Sequence, residues 1–259
     1  MDLLLPSSCT NVICVPIPPE VKLNVSLDCL VTFSGTVSSP SHRWHVPHQV
    51  HECDIKRLGK TQHYAIQDKP KNLHVVFPMV DTYFALGYKI IRMVHWLQTH
   101  ASIQKVLYLD KDIVENETPL TIANKFSEIP LHTQSMVGDI MDCWTPANQM
   151  CCCANRFFAQ QHNLTSAYDS PPPLLHGASG IGFNLPALKT LVSRVADILP
   201  YSDHTLSAWA NKSGIHFQQA AWSKRAHRWC KQAKMRVTPV NDTHWTCGHS
   251  NKTVTTLVN

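Results

Sequence analysis

KVLYLDKDIVENETPL, residues 105–120, decides how the rest of the chain is read. An apolar, β-prone run, Val106-Leu107-Tyr108-Leu109, delivers two carboxylates, Asp110 and Asp112, at the point where a strand would end. In α/β sheets that edge is where sites are built. Alternation along a strand puts Asp110 and Asp112 on one side and turns Lys111 away, so one divalent cation and a diphosphate could meet both carboxylates. The plainer alternative is an acidic strand-to-turn junction, because short motifs recur by accident.

The surrounding chain has room for a full core. Its 259 residues suffice for one large α/β domain or two small ones, and 44% hydrophobic against 16% charged residues marks a globular and not a disordered protein. The net charge of +5 is spread along the whole length without a Lys/Arg block, which argues against nucleic acid as a partner. No window approaches eighteen uninterrupted apolar residues, so no membrane-spanning helix is expected, and the acid at position 2 with prolines at 6, 16, 18 and 19 spoils a signal-peptide core. Against that stand six N-x-S/T sequons, at Asn24, Asn116, Asn163, Asn211, Asn241 and Asn251, where composition alone predicts roughly two. The excess points to a lumenal history. Asn116 lies too close to the proposed metal site to carry a glycan comfortably. Ten cysteines fit either redox compartment; Cys151-Cys152-Cys153 cannot easily pair with one another, and connectivity is not readable.

Local patterns divide the chain into an irregular Pro- and Ser-rich lead-in at 1–27, a single domain over 28–250, and a tail at 251–259. The first strand is expected at Cys29 to Phe33, and another at Leu73 to Phe77. Asp81-Thr82 can cap a helix from Tyr83 to about Gln98, with Tyr83, Leu86, Ile90, Met93, Val94 and Leu97 on its apolar face and Lys89 on a solvated one. A short helix is expected from Pro119 to Phe126, then a polar, cysteine-rich stretch to about Ser170. Glycines at 177, 180 and 182 let backbone approach a ligand closely, although a tight strand crossing needs them equally. Pro186 opens a helix carrying Leu188, Leu191, Val192, Val195 and Ile198 inward, and Ser202-Asp203 begins another that ends at Gly214. The economical role for Asp203 is an N-cap. Histidines at 42, 45, 48 and 51 make a zinc site conceivable, but Pro47 and the lack of paired cysteines favour plain surface histidines.

Four separated segments resemble one family, in order and approximate spacing over residues 73 to 240. VDTYFALGYKIIRMVHWL (80–97) resembles the "D-S/T-Y-x-x-L-T-x-K-T" helix of the β-1,3-galactosyltransferases and β-1,3-N-acetylglucosaminyltransferases, the group that includes the Fringe enzymes. YLDKDIVEN (108–116) resembles their "D-D-D-V-F-V-N" metal motif, YDSPPPLLHGASGIGF (168–183) their "Y-P-P-Y-x-x-G-x-G-Y" segment, and SDHTLSAWANKSGIHF (202–217) their "E-D-V-Y-x-G-x-x-x-x-x-x-G-I" segment. The resemblance implies a GT-A glycosyltransferase fold: an α/β, Rossmann-like mixed sheet flanked by helices, its nucleotide-binding part at about 28–116 and its acceptor and catalytic part at about 117–250. It implies a UDP-sugar donor, a glycan, glycoprotein or glycolipid acceptor, Mn²⁺ as cofactor, and a Golgi setting in which the family is usually membrane-anchored. Carried over by position, Asp110 and Asp112 would hold the metal, Asp81 and Lys89 would sit near the nucleotide, Ser179 and Gly180 would floor the sugar pocket, and Asp203 would be the catalytic carboxylate.

The chain departs from that pattern at several places. Lys111 replaces the middle acid of the metal motif, and Ser202 replaces the acid before Asp203. Asn241 follows Arg236-Val237-Thr238-Pro239-Val240 where the family often has a histidine ligand, leaving His244 or His249 to substitute. The N-terminal "I-R-x-T-W" motif survives at most as His42-Arg43-Trp44, and the following "F-L-L-G" strand has no clear counterpart, so the nucleotide-binding half is expected to be abbreviated. A module that has lost catalysis and binds glycans or a partner enzyme is the alternative function. KVLYLDKDIV also resembles the "Y-L-D-x-D" signature of the retaining glycogenin-type transferases, a family that does not supply the matches at 80–89 or 202–217.

Overall fold

The computed structural model describes residues 5–18, 21, 23, 25, 27–38, 64–69, 71–81, 85–141, 174–194, 196, 198, 201–222, 235–241, 244–249 and 252–254. The histidines at 42–51, His42-Arg43-Trp44, Thr82 and Tyr83, Cys151–Cys153 and the triple proline at 171–173 lie outside these residues. The described elements run β1 (Asn11–Pro16), β2 (Leu30–Ser38), β3 (Tyr64–Lys69), β4 (Asn72–Asp81), α1 (Leu86–Gln98), β5 (Lys105–Tyr108), α2 (Lys111–Val114) and α3 (Pro119–Glu128). They continue with β6 (Ser135–Gly138), β7 (Ile140–Met141), β8 (Leu174–Leu175), a 3₁₀ turn at Gly177–Ser179, β9 (Ile181–Asn184), α4 (Leu185–Val192), α5 (Ser202–Lys212) and β10 (His216–Gln219). Last come β11 (Met235–Asn241), β12 (His244–His249) and β13 (Lys252–Val254), which form a three-stranded antiparallel sheet.

The main sheet has eight strands in the order β10-β6-β9-β5-β1-β2-β4-β3. β1 lies parallel to β2 and β5, β2 to β4, and β6 to β10. β9 runs against both β5 and β6, and β3 against β4. The architecture is therefore a mixed, mostly parallel α/β sheet of Rossmann-like kind. From β1 the chain builds outward through β2 and β4, then returns to place β5 on the other side of β1. The strand order reverses there, so a crevice opens outside the carboxyl ends of β1 and β5.

Two apolar layers cover the sheet. Residues alternate along each strand: on β5, Val106 and Tyr108 join the layer under α1, α4 and α5, while Leu107 and the following Leu109 join the layer under α2 and α3. In the first layer Phe33 stacks on Phe77 at 5.7 Å and meets the edge of Trp96 at 5.5 Å. In the second, Ile13, Val15 and Leu107 receive Ile122 and Phe126 of α3. That helix starts where Pro119 predicts, with Thr118 and Thr121 exchanging the reciprocal bonds of a capping box. No described helix is long and apolar enough to cross a membrane.

Several expectations change. The lead-in at 1–27 contains β1, a central strand buried on both faces, and the disulfide Cys9–Cys29 ties the approach to β1 to the start of β2. Its apolar run, VICVP, lacks the alternation of a half-exposed strand because parallel strands covered on both sides need none. The N-terminal half supplies β1 to β5. β6 lies in the stretch read as polar and cysteine-rich, β10 follows the helix expected to end at Gly214, and β13 falls in the segment read as a tail from 251. Asp81 ends β4 and is not the N-cap of α1, which begins at Leu86 with Ala85 before it. Lys89 is buried, 2% exposed, and not on a solvated face.

Candidate functional site

The parallel strands end, and the antiparallel β9 begins, along one edge of the sheet, so the segments leaving β5 and β6 and the turn entering β9 meet there. Asp110 follows β5, Asp139 follows β6, and the turn Gly177–Ser179 precedes β9. His176 N donates to Asp139 O at 2.9 Å, which anchors the turn beside the end of β6. The buried Asp139 carboxylate accepts from Gln219 Nε2 at 3.1 Å, bringing β10 into the same edge.

Asp110 and Asp112 do not share a strand. β5 stops at Tyr108, and Asp110 stands at the N-cap of α2 with its carbonyl accepting the N–H groups of Ile113 and Val114. Side-chain alternation is therefore lost between the two acids. Asp112 is exposed in the first turn of α2, and Lys111 turns to Glu115 at 2.7 Å, one helical turn away. The Asp110 side chain makes no capping bond; it points back toward the end of β5, where Oδ1 lies 3.4 Å from the buried hydroxyl of Tyr108.

Asp203 is brought to the same place from α5. The N-cap of that helix is Tyr201 and makes no side-chain bond, so the expected capping role of Asp203 is not the one observed. Instead Asp203 Oδ2 accepts from Gly177 N at 3.0 Å and Oδ1 from His204 N at 2.9 Å. A methyl group placed on Gly177 would lie 3.2 Å from Asp203 Oδ2 and 3.3 Å from Asp110 Oδ2, so the two carboxylates border the width of a single glycine. Tyr108 joins their two elements from below, its hydroxyl hydrogen-bonded to Ser202 Oγ at 2.5 Å.

Like charges in a buried place resist ionisation. The Asp110 carboxyl is pushed up to about 7, first by burial, then by the charges of Asp203 and Asp112, against a smaller opposing effect of the Tyr108 hydrogen bond. Among the described residues Asp110 forms no ion pair. Beside Asp203, burial holds His204 below the usual imidazole range, so it is neutral near pH 7. His204 Nδ1 and His176 Nδ1 are both buried without a hydrogen-bond partner among the described residues. Buried polar atoms of this kind mark places where a water, ion or ligand completes the bonding.

The other predicted site residues sit apart from this pair. Asp81 and Lys89 form a buried ion pair at 2.6 Å, with Asp81 Oδ2 also accepting from Gly35 N at 2.7 Å and Lys89 Nζ donating to Ile17 O at 3.0 Å. They pin α1 to the ends of β1, β2 and β4. Ser179 Oγ donates to His176 O at 3.0 Å, folding back on its own turn. Gly180 adopts φ 89°, and a side chain there would strike Leu109 Cδ2 at 2.5 Å, so it serves the crossing of β9 over the end of β5. Lys125 Nζ holds that turn from α3, reaching Glu117 Oε1 at 2.6 Å and Ser179 O at 3.3 Å. The side chains of His244, His249 and Asn241 lie outside the described residues. Among the described residues no three His, Cys, Asp or Glu side chains are grouped to hold a metal ion.

Sequence reasoning missed Tyr108, Ser202 and His204 as parts of the site. An aromatic two positions before an aspartate at a strand end was the only available signal for the first of them. Fold and site together define an α/β protein with a Rossmann-like sheet and a carboxylate pair at the edge where its strand order reverses. Comparison of the chain with known protein families and with curated proteins gives no match.

Proposed function

We propose that the chain is a GT-A-type glycosyltransferase: a metal-dependent, inverting hexosyltransferase that moves galactose or N-acetylglucosamine from a UDP-sugar to a glycan acceptor in β-1,3 linkage. One observation carries this reading. Asp110 and Asp203, from distant segments that both resemble motifs of that family, border the same glycine at the switch-point edge.

The chemistry of Asp110 supports Mn²⁺ as the cofactor. Asp110 offers hard oxygen, lacks a cation among the described residues, and is pushed up to about 7 first by burial and then by two neighbouring acids, whose repulsion a divalent ion would relieve. Asp110 would be its first ligand, with Asp112 and His244 the further expected ones. When bound, the metal supplies positive charge for the departing diphosphate. Asp203, fixed by two backbone N–H groups, takes the proton from the acceptor hydroxyl as that oxygen attacks the anomeric carbon. Gly177 keeps the space between the carboxylates open, and Tyr108 fixes their separation through Ser202. A Golgi setting with membrane anchoring follows from the same resemblance.

UDP release from UDP-galactose or UDP-N-acetylglucosamine with Mn²⁺ tests this. Asp203→Asn is expected to lower kcat by about 10²–10⁴-fold, the usual worth of a general base, while leaving the Kd for UDP with Mn²⁺ nearly unchanged. A folded wild-type chain that neither binds donor nor releases UDP removes the proposal. The exposure of Asp112, with no third ligand group among the described residues, favours a second reading: a catalytically inactive module that binds a glycan or partner protein. Calorimetric binding of UDP and Mn²⁺ without turnover selects it.

A further inference from the structure

Two of the six sequons have described side chains, and the fold treats them differently. Asn116 Nδ2 donates to Asp112 O at 2.6 Å, and the Thr118 of its sequon closes the capping box of α3, so both residues have a structural task beside the acidic cleft. Asn211-Lys212-Ser213 stands at the far end of α5. Asn211 is exposed, and among the described residues no hydrogen bond engages its carboxamide. The chain turns sharply just beyond it, Gly214 N donating to Asn211 O at 3.0 Å and Ile215 N to Ala210 O at 2.9 Å. A methyl group on Gly214 would meet nothing within 4 Å, so the turn faces open space. A rise of ~1.5 Å per helical residue puts Asn211 about 12 Å along α5 from Asp203. A bulky group there would leave the cleft unobstructed.

A second observation bears on the compartment. Cys9 and Cys29 are joined as a disulfide with their Cα atoms 5.6 Å apart. Such bonds form and persist in oxidising compartments and are rare where thiols are kept reduced. The secretory lumen is also where N-x-S/T sequons are modified.

We infer that Asn211 is an N-glycan acceptor, modified as the chain folds in an oxidising secretory lumen. The substrate class is an oligosaccharide carried on a lipid diphosphate. The Asn211 Nδ2–C1 bond forms as the C1–O bond to the diphosphate breaks; the lipid diphosphate leaves, and the amide gives up one proton. Solubility and shielding of the α5–β10 turn follow, independently of whether the cleft transfers sugars.

Expression of the full chain in a eukaryotic secretory host, followed by peptide N-glycosidase digestion in heavy-oxygen water and mass spectrometry, tests it. Residue 211 is expected as heavy-labelled aspartate in most of the soluble protein. Asn211→Gln and Ser213→Ala each abolish that label and raise gel mobility by one glycan, while Ser213→Thr keeps it and guards against a folding defect. Non-reducing peptide mapping recovers Cys9 bonded to Cys29. Soluble, disulfide-bonded protein with Asn211 unmodified overturns the inference, as does a chain recovered with Cys9 and Cys29 as free thiols.

Discussion

Two pairs of charged side chains sit on the same edge of the sheet, and they are opposites. Asp81 and Lys89 lie beyond β1 on the β2–β4 side; each neutralises the other at 2.6 Å, and backbone groups of Gly35 and Ile17 take up further bonds. Asp110 and Asp203 lie on the β5 side; they repel, and among the described residues no cation joins them. A self-neutralised pair is a fastening. A pair of half-buried carboxylates left without a counter-charge is a receptor for one.

Breaking the fastening has the largest expected effect. Lys89→Met leaves the Asp81 carboxylate buried and unpaired, and is expected to cost about 3–5 kcal/mol of stability, read as a lowered urea midpoint. If the midpoint is unchanged, the pair fastens nothing and is free for a ligand.

Removing a charge from the receptor pair acts in the other direction. Because the folded carboxyl of Asp110 is raised to about 7, the native state keeps a proton that the unfolded chain has released, and stability falls as pH rises from about 4 towards 7. Asp110→Asn has no such cost and is expected to be more stable than wild type above pH 7, on the order of 2 kcal/mol; the gain disappears below pH 4. Thermal melts at pH 4, 6 and 8 check this, and Mn²⁺ added at pH 8 is expected to raise the melting temperature of wild type and not of the variant. A variant that melts lower at every pH shows that the carboxylate is a structural partner after all.

The smallest change sharpens the contrast. Tyr108→Phe removes the hydroxyl between Ser202 and Asp110 and is expected to cost about 1–2 kcal/mol, with the urea slope unaltered. If it loosens the carboxylate pair as the geometry implies, metal affinity falls with it, whereas the Lys89–Asp81 side is untouched.

The fastening was harder to read from sequence than the receptor. Asp110 and Asp203 stand out because one is an acid at the expected end of an apolar strand and the other an acid at the expected start of a helix, and each belongs to a recognisable string of residues. Lys89 looks like a solvated helix residue, because its helical stripe contains no hint that an aspartate at the end of β4 reaches across to it. β1 was hidden for another reason: the prolines around it read as loop, while burial on both faces erases the alternation that reveals ordinary strands. β6 and β10 were hidden by shortness, four residues each with few β-branched side chains.

By itself, the sequence determined the α/β class, the starts of the helices α3 and α5 and the glycine stop of α5, and the short list of acids from which a site could be made. Those follow from local rules: backbone preferences, capping and the period of apolar residues act over a few positions. Only the tertiary structure decided that β1 is the central strand, that Lys89 is consumed by Asp81, and that Asp110 meets Asp203 across Gly177 while Asp112 faces solvent. Strand order and the loss of alternation after Tyr108 set those distances, and both depend on packing between segments far apart in the chain, which no local pattern encodes.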